Sequence, residues 1–204
     1  MEQEQLSSRD RILRTGESLF GKQGYSGTGL KELSSVAAAP WGSIYHFFPG
    51  GKEELGIAVL DYASDLYGER ISGAFERCEN PAAAVDAIFR AQVKRLEGSD
   101  YRNGCPAAAV TVDAGSTSEP LRAACASTFA RWLDCYAKGF RNAGAPKAEA
   151  RALAAFVLSA LGGAILLSRA SKSPAPLREA GKYVRRVIAS EAAGWTARRR
   201  AARA

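Results

Sequence analysis

A short polar and aromatic segment, APWGSIYHFFPGGKEEL at residues 39–55, contains the side chains best suited to chemistry. Tyr45 and His46 carry polar tips on aromatic rings, and His46 is the only histidine in the chain. Such side chains can reach phosphate oxygens or base edges. Gly42 permits close approach of the backbone to a ligand, and Ser43 offers a small hydroxyl donor. The segment therefore indicates hydrogen bonding to a polar surface such as a nucleic acid.

Catalysis finds little support in the same residues. A Ser-His-Asp or Cys-His site would have to be built around His46 on a short helix, where no cleft is expected. The run from Gly50 to Glu53 lacks the earlier glycine and the following Ser or Thr of a phosphate-binding loop. The four cysteines form no C-x-x-C pair. We therefore expect no enzyme activity, no metal site and no cofactor.

Three helices are predicted to position the segment. The first begins after Ser7, where Asp10 completes a capping box. Thr28 is the expected cap of the second helix, and Pro40 suits the start of the third. A Pro-Gly-Gly run at residues 49–51 then ends the third helix before a long fourth one. Because the second and third helices are short and joined by a tight turn, the pattern predicts a helix-turn-helix.

The rest of the chain also reads as helical. Turn signals rich in proline and glycine separate about five more helices, and no strand-like alternation is sustained. We predict an all-α fold of about nine helices, with an N-terminal three-helix DNA-binding domain at residues 1–51. A larger ligand-binding and dimerisation domain is expected at residues 52–196, followed by a disordered basic tail at residues 197–204. No apolar leader follows the N-terminus, so we expect a cytoplasmic protein.

The net charge of +7 is less informative than its distribution. Residues 171–204 contain nine basic and two acidic side chains, which accounts for the whole excess. Overall charge therefore does not argue that the N-terminal segment binds DNA. The longest apolar run, residues 152–167, is shorter than the ~20 residues that a membrane span needs. We interpret it as a buried helix of a soluble protein and expect no membrane partner.

The N-terminal residues resemble a known family. GYSGTGLKELSSVAAAPWGSIYHFFPGGKEEL closely resembles the signature of TetR-family transcriptional regulators, from about Arg11 to Leu60. Downstream, RNGCPAAAV, FARW and LGGAILLSRASKSPAPL are similar to the LmrA/YxaF-type subfamily. The resemblance implies a ligand-responsive repressor that binds a palindromic operator in double-stranded DNA as a homodimer. The expected DNA contacts are Thr28, Lys31, Trp41, Gly42, Ser43, Tyr45, His46 and Lys52.

Two positions depart from the family pattern. TetR-family members often have glycine in the turn and lysine before the Gly-Ser pair, where this chain has Ala38 and Trp41. Ala38 lacks the φ freedom of glycine, and Trp41 lacks a charge that seeks phosphate. Trp41 can stack on a sugar, contact a thymine methyl group or pack on the first helix, and these alternatives stay open.

The resemblance also implies a small-molecule cavity among the later helices. An aromatic stripe at helical spacing is more often core than pocket, whereas the family favours a pocket. An apolar lining suits a small apolar or aromatic effector. Cys105 lies at a predicted helix start and is either a small structural residue or a redox sensor. The expected ligand-binding residues are Tyr62, Leu66, Phe89, Cys105, Phe129, Trp132 and Tyr136.

Small and apolar residues recur at helical spacing on the last two helices. Such residues let helices approach closely, either within one chain or across a two-fold interface, and the resemblance favours a homodimer. The expected interface residues are Ala152, Ala155, Ser159, Gly163, Leu167, Val184 and Ile188. A scaffold protein that keeps the helix-turn-helix only as a packing unit is the remaining alternative.

Overall fold

The computed structural model describes residues 6–201, and this part of the chain forms nine α-helices. They are α1 Ser8–Gln23, α2 Leu30–Val36, α3 Trp41–Phe47, α4 Gly51–Arg77, α5 Pro81–Glu97, α6 Pro106–Ala114, α7 Glu119–Asn142, α8 Lys147–Ser171 and α9 Ala175–Ala201. No β-strand occurs within residues 6–201. The prediction of an all-α fold of about nine helices is confirmed.

The first helix begins as the sequence predicts. Ser7 is the N-cap of α1, and its Oγ accepts a hydrogen bond from the backbone N–H of Asp10 at 3.1 Å. The same hydroxyl donates to the Asp10 carboxylate at 2.6 Å. One of the free N–H groups of the first turn is thereby satisfied. At the other end Gly24 adopts φ 79°, a left-handed conformation that favours glycine.

The start of α2 differs from the prediction. Its N-cap is Gly29, which makes no side-chain bond. Thr28 is only 1% exposed, and its Oγ1 donates to the carbonyl oxygen of Gly24 at 2.7 Å. The prediction that Thr28 caps α2 is therefore wrong. Its hydroxyl instead bonds a carbonyl group just past the end of α1, where helices leave acceptors unpaired.

The turn between α2 and α3 is held by side chains from outside it. Ala38 adopts φ 48°, which lies in the left-handed region. Arg11 donates from Nε to the carbonyl of Ala37 and from Nη2 to that of Ala38, both at 3.1 Å. The buried Ser34 hydroxyl donates to the carbonyl of Ala39 at 2.7 Å. Three consecutive carbonyl groups of the turn are thus hydrogen-bonded.

The described chain divides into two compact units. Unit 1 contains the described residues up to Asp65 together with Gly104–Phe129, and unit 2 contains Leu66–Asn103 and the described residues from Ala130 onward. Helices α4 and α7 contribute residues to both units. The expected functional boundary between residues 51 and 52 stays a prediction, because a compact packing unit need not coincide with a functional domain.

Unit 1 is built around α1, which packs on α2, α3 and α6. The backbone N–H of Gly104 donates to the carbonyl of Gly21 at 2.9 Å. A Cβ atom on Gly21 would lie 2.9 Å from the Gly104 oxygen, so this contact requires glycine. The buried apolar core of unit 1 includes Ile12, Phe20, Leu33, Ile44, Phe48, Leu55 and Leu60.

Unit 2 is organised by α9, which packs against α5 and α8. Gly181 permits the approach of α9 to α5, because a Cβ atom there would lie 2.9 Å from Cβ of Phe89. The buried Trp195 donates from its indole N–H to the Glu149 carboxylate at 2.5 Å. The core of unit 2 therefore contains buried aromatic rings and a close contact between α5 and α9, together with aliphatic side chains such as Val184 and Ile188.

Helix α8 is long and apolar, and only one of its faces is packed. By length and composition alone it is long and apolar enough to cross a membrane, and 33% of its apolar window is buried in the single chain. Leu166 and Leu167 are 68% and 61% exposed. The expectation that this segment is a buried helix is therefore wrong for the isolated chain.

The C-terminal helix extends into the segment that was expected to be a disordered tail. Helix α9 continues to Ala201, so residues 197–201 are helical. High intrinsic helix propensity accounts for this, because residues 197–201 are all alanine or arginine, which are both good helix formers. The remaining part of the expected tail, residues 202–204, lies outside the described residues.

Candidate functional site

Helix α3 has one buried face and one exposed face. Ile44 is fully buried, and Phe48 is buried at the C-cap. Trp41 and Tyr45 are 43% and 47% exposed. Because they are four residues apart, their side chains lie on the same side of the helix. The two rings form an outer surface that the chain does not use for its own packing.

Trp41 and Tyr45 contact one another. Their ring centroids are 5.5 Å apart, and the ring planes differ by 69°. This T-shaped arrangement is a favoured geometry for aromatic pairs. The exposure of Trp41 argues against its burial on α1, which was one of the alternatives left open by the sequence.

The other predicted contacts on α3 are also accessible. His46 is exposed, and its ring lies 5.0 Å from that of Phe47 at 66°. Gly42 is exposed, and a Cβ atom there would meet no heavy atom within 4 Å. Packing within the described chain therefore does not require glycine at this position. Ser43 is half-exposed, and its backbone N–H donates to the carbonyl of Pro40 at 2.8 Å.

Two lysines were predicted to meet phosphate, and they differ in environment. Lys31 is exposed on α2, whereas Lys52 is half-buried at the start of α4. The Lys52 ammonium lies 3.5 Å from the carbonyl oxygen of Ser26 and 4.5 Å from the centre of the Tyr25 ring. Burial lowers the pKa of Lys52, and the Asp113 carboxylate partly opposes that shift. A phosphate would have to compete with these partners for Lys52.

A two-point contact joins α6 to the loop before α2. The backbone N–H of Ser26 donates to the Asp113 carboxylate at 2.9 Å, and the Ser26 hydroxyl donates to it at 2.7 Å. Burial raises the pKa of the neighbouring Tyr25, and the carboxylates of Glu53 and Asp113 add to the shift. The surroundings of Lys52 are therefore built partly by α6.

The predicted ligand-binding residues do not all belong to the same unit. Tyr62, Cys105 and Phe129 lie in unit 1, and Leu66, Phe89, Trp132 and Tyr136 lie in unit 2. Cys105 is half-buried at the N-cap of α6, which is the predicted helix start. The unit 1 residues are half-buried, whereas Phe89, Trp132 and Tyr136 are buried. The buried members of the predicted ligand-binding set are therefore all in unit 2.

An aromatic cluster surrounds the unit 2 residues. The rings of Trp132 and Tyr67 are 5.5 Å apart, and those of Tyr136 and Phe75 are 6.2 Å apart. Tyr136 is completely buried, and its hydroxyl has no hydrogen-bond partner among the described residues. Burial raises the pKa of this phenol well above its usual range. Buried polar atoms without a hydrogen-bond partner are uncommon. The Tyr136 hydroxyl is therefore an unusual polar group within an otherwise apolar cluster.

Comparison with known proteins shows which family the chain belongs to. Residues 12–59 match the model for bacterial regulatory proteins of the tetR family, and residues 81–183 match the C-terminal domain of LmrA/YxaF-like transcriptional regulators. The HTH-type transcriptional regulator LmrA of Bacillus subtilis (strain 168) is 32% identical over 83% of this chain and 90% of its own length. The chain belongs to the TetR family.

Further TetR-family proteins agree with this assignment. The HTH-type transcriptional repressor NemR of Escherichia coli (strain K12) is 28% identical over 91% of this chain and 96% of its own. The crystal structure of the regulatory protein TetR from Rhodobacter sphaeroides has a TM-score of 0.79 and 25% identity, covering 88% of this chain and 97% of that one. These are transcriptional regulators, which confirms that the chain is not an enzyme. The resemblance to LmrA/YxaF-type regulators is likewise confirmed.

In this TetR-family chain, α8 presents the predicted interface strip to solvent. A Cβ atom on Gly163 would meet no heavy atom within 4 Å, so nothing in the described chain covers it. Phe156 and Leu166 are also exposed and were not predicted. The predicted α8 residues that are exposed are Ala152, Ala155, Ser159, Gly163 and Leu167. They form one small and apolar strip along the helix.

The α9 part of the predicted interface needs correction. Val184 and Ile188 are buried within the single chain, where α9 packs against α5 and α8. They have almost no surface left for a second chain, so their assignment to the interface is wrong. Their sequence neighbours Tyr183 and Val187 are exposed instead. Spacing identified an apolar side of α9 but not the surface that it packs on.

Two polar residues that organise the site were missed at the sequence level. Arg11 holds the α2–α3 turn, and Asp113 holds Ser26. An arginine or aspartate on a predicted helix is usually solvated, so neither residue type is informative by itself. Ala38 was the one sequence feature that could have indicated such a residue. A non-glycine residue at a turn position that favours glycine implies that side chains outside the turn hold its backbone.

Proposed function

We propose that this TetR-family chain is a cytoplasmic, ligand-responsive repressor that binds a palindromic operator as a homodimer and is released by a small apolar or aromatic effector. The outer face of α3 carries the proposal, because Trp41 and Tyr45 are exposed while Ile44 is fully buried. A recognition helix needs one anchored face and one face free to enter the major groove. His46 extends the free face, and the exposed Lys31 supplies a charge suited to phosphate.

The exposed strip of α8 supports the homodimer. Gly163 and Leu167 lie on it, and Leu167 is 61% exposed in the single chain. A two-fold interface would bury the same strip on both copies. Two copies related in this way present two α3 helices to two half-sites, so the operator should be a palindrome. Tyr183 and Val187 replace Val184 and Ile188 in the proposed interface.

The aromatic cluster of unit 2 supports an effector site. An effector with an apolar body and one acceptor atom would pack among the rings of Trp132 and Phe75 and accept a hydrogen bond from Tyr136. Such an effector changes DNA affinity only by its differential affinity for two states, typically ~1–3 kcal/mol of coupling. The remaining proposed lining residues in unit 2 are Leu66 and Phe89.

Repression is the regulatory sense that the relatives favour. NemR of Escherichia coli is named a transcriptional repressor and matches 91% of this chain. A homodimer that binds an operator can repress transcription by occupying the site, so repression requires no activity of the protein beyond DNA binding. We therefore extend repression from NemR to this chain as part of the proposal.

Sequencing the genomic fragments that the purified protein retains tests operator binding. We expect enrichment of one palindrome, whose half-sites are about one helical turn or a multiple of it apart. Tyr45→Ala should lose the enrichment. Val112→Ala, which trims a side chain that is 86% exposed on α6, should keep it. If the wild type enriches no discrete sequence, the chain is a scaffold that keeps the helix-turn-helix as a packing unit.

The effector site is tested first through Tyr136. Removing a buried hydroxyl without a partner removes a desolvation cost, so Tyr136→Phe should raise the free energy of unfolding by about 1 kcal/mol. Val112→Ala, at a position 86% exposed on α6, is the control and should change the free energy of unfolding little. Urea unfolding measures both variants. A clear loss of stability in Tyr136→Phe would mean that the hydroxyl is already bonded, which removes the argument for a ligand there.

A further inference from the structure

We propose that Trp41 reads thymine, with its indole ring against the 5-methyl group of one thymine in each operator half-site and with Tyr45 holding the ring in place. This inference rests on the proposed function, because it assigns a base preference to the outer face of α3. It concerns the position where the chain has tryptophan in place of a lysine common in the family.

The direction in which Trp41 faces is fixed by the opposite side of α3. Ile44 is fully buried, and Phe48, the C-cap, is 2% exposed. Rotating α3 about its axis would bring these apolar side chains into water, which is unfavourable. The outer position of Trp41 is therefore a property of the packed helix-turn-helix and exists before any DNA is bound.

The ring of Trp41 is also restrained on its outer side. Its centroid lies 5.5 Å from that of Tyr45, with the planes 69° apart. A rigid aromatic side chain supplies contact area at a low cost in conformational entropy, and a neighbouring ring lowers that cost further. The pair thus presents a preformed surface rather than two mobile side chains.

The atoms of Trp41 favour a methyl group over the other features of DNA. An indole has no charge and a single N–H donor, so most of its exposed surface is apolar. In the major groove, thymine is the only base that presents a methyl group. Covering a phosphate or a polar base edge with this surface would remove water without returning hydrogen bonds, whereas covering a methyl group is favourable. Phosphate is better served by the exposed Lys31.

Replacing thymidine by deoxyuridine provides the decisive experiment, because the two nucleosides differ only by the 5-methyl group of the base. Operator sites are first selected from a random duplex library with the wild-type protein. Each thymine of the selected site is then replaced by deoxyuridine in both half-sites. One symmetric replacement should weaken binding about fourfold per half-site, or roughly fifteenfold in total, as expected for the loss of one buried methyl contact in each. The salt dependence should not change, because no phosphate contact is lost.

Variants separate this inference from the proposed function. Trp41→Ala should bind the thymine and deoxyuridine sites equally, whereas Tyr45→Phe, which keeps the ring, should retain the wild-type difference. Val112→Ala, a control 86% exposed on α6, should also retain it. If the wild type selects no site, the proposed function fails. If it selects a site but no replacement weakens binding, or if Trp41→Ala keeps the same sensitivity, thymine reading is wrong while operator binding stands.

Discussion

Helices α3 and α8 both leave side chains exposed that the chain does not need for its own packing, but the two faces differ in their atoms. The seven-residue α3 exposes Trp41, Tyr45 and His46, which are rings with polar tips. The 25-residue α8 exposes Leu166 and Leu167 among small residues. Polar-tipped rings suit a partner that carries hydrogen-bonding groups, and aliphatic groups suit another apolar surface. The exposure of both faces shows that neither is needed for packing within the chain. The chemical character of the exposed side chains indicates which kind of partner each face suits.

The two helices also differ in what holds them in place. An isolated helix of seven residues is not stable in water, so α3 depends on the turn before it and on the core beneath it. Arg11 supports that turn from α1 through two hydrogen bonds. Helix α8 is long enough to be held along its whole buried side by α9 and α5. A substitution can therefore disable α3 from a distance, whereas α8 must be changed on its own face.

The largest effect is expected from a charge on the exposed strip of α8. Leu167→Asp should leave the single chain folded, because Leu167 is 61% exposed. An unpaired carboxylate buried in the proposed interface costs several kcal/mol, so the dimer dissociation constant should rise roughly a hundredfold or more. Sedimentation at low micromolar concentration measures it, with Ala91→Asp on an exposed position of α5 as the matched control. A dimer as tight as the wild type would place the interface elsewhere.

The next effect tests the support of α3 from outside it. Arg11→Ala removes both bonds to the α2–α3 turn and should lower the free energy of unfolding by about 2 kcal/mol. Arg14→Ala, at an exposed position of the same helix, should stay within about 0.5 kcal/mol of the wild type. Arg11→Lys keeps the charge but not the planar fork and should recover only part of the loss. Urea unfolding curves compare the variants, and an unaffected Arg11→Ala would show that the turn supports itself.

A smaller effect is expected from removing the charge of Lys52, and it should separate the contribution of charge to operator binding from that of apolar contact. Lys52→Gln should weaken operator binding and reduce the slope of log affinity against log salt by about one for each half-site. Lys94→Gln, exposed on α5, should leave both quantities unchanged. Fluorescence anisotropy with labelled operator at several salt concentrations measures them. An unchanged slope in Lys52→Gln would mean that Lys52 stays with Tyr25 and Ser26 in the complex.

The smallest effect is a gain in stability. Ala38 has φ 48°, so Ala38→Gly should relieve backbone strain and raise the free energy of unfolding by about 0.5–1 kcal/mol. Ala37→Gly is the matched control, because Ala37 has φ −74° and gains nothing from glycine. Thermal unfolding followed by circular dichroism compares them. The strain interpretation would not survive if Ala38→Gly were no more stable than Ala37→Gly.

Features set by neighbours in the chain were predictable from the sequence. The capping of α1 by Ser7 depends on residues three apart, and the structure confirms the hydrogen bond from the Asp10 backbone N–H to the Ser7 Oγ. The third helix was predicted from Pro40 to Phe48 and is observed at Trp41–Phe47, with those two residues as its caps. In both cases the physical cause lies within one helical turn of the residues concerned, so the sequence contains all the information required.

Features that depend on distant packing were not predictable. Thr28 can cap a helix or bond to the loop behind it, and only the folded loop selects the second role. Val184 and Ile188 show the spacing of an apolar face, but the spacing is the same whether that face meets the same chain or a second copy. Most of the predicted ligand-binding residues are aromatic, but residue type does not reveal location, so their division between two units had no sequence signal.

The contact between Ser26 and Asp113 gives unit 1 a spectroscopic label of its own. The Ser26 amide proton bonds to a carboxylate from a residue 87 positions away, so we expect its protection from exchange to last only while α6 holds the loop before α2. Its nitrogen–proton correlation can be followed without labelling DNA or an effector. The Ser26 amide therefore reports, in a single peak, whether operator or effector loosens α6 from that loop.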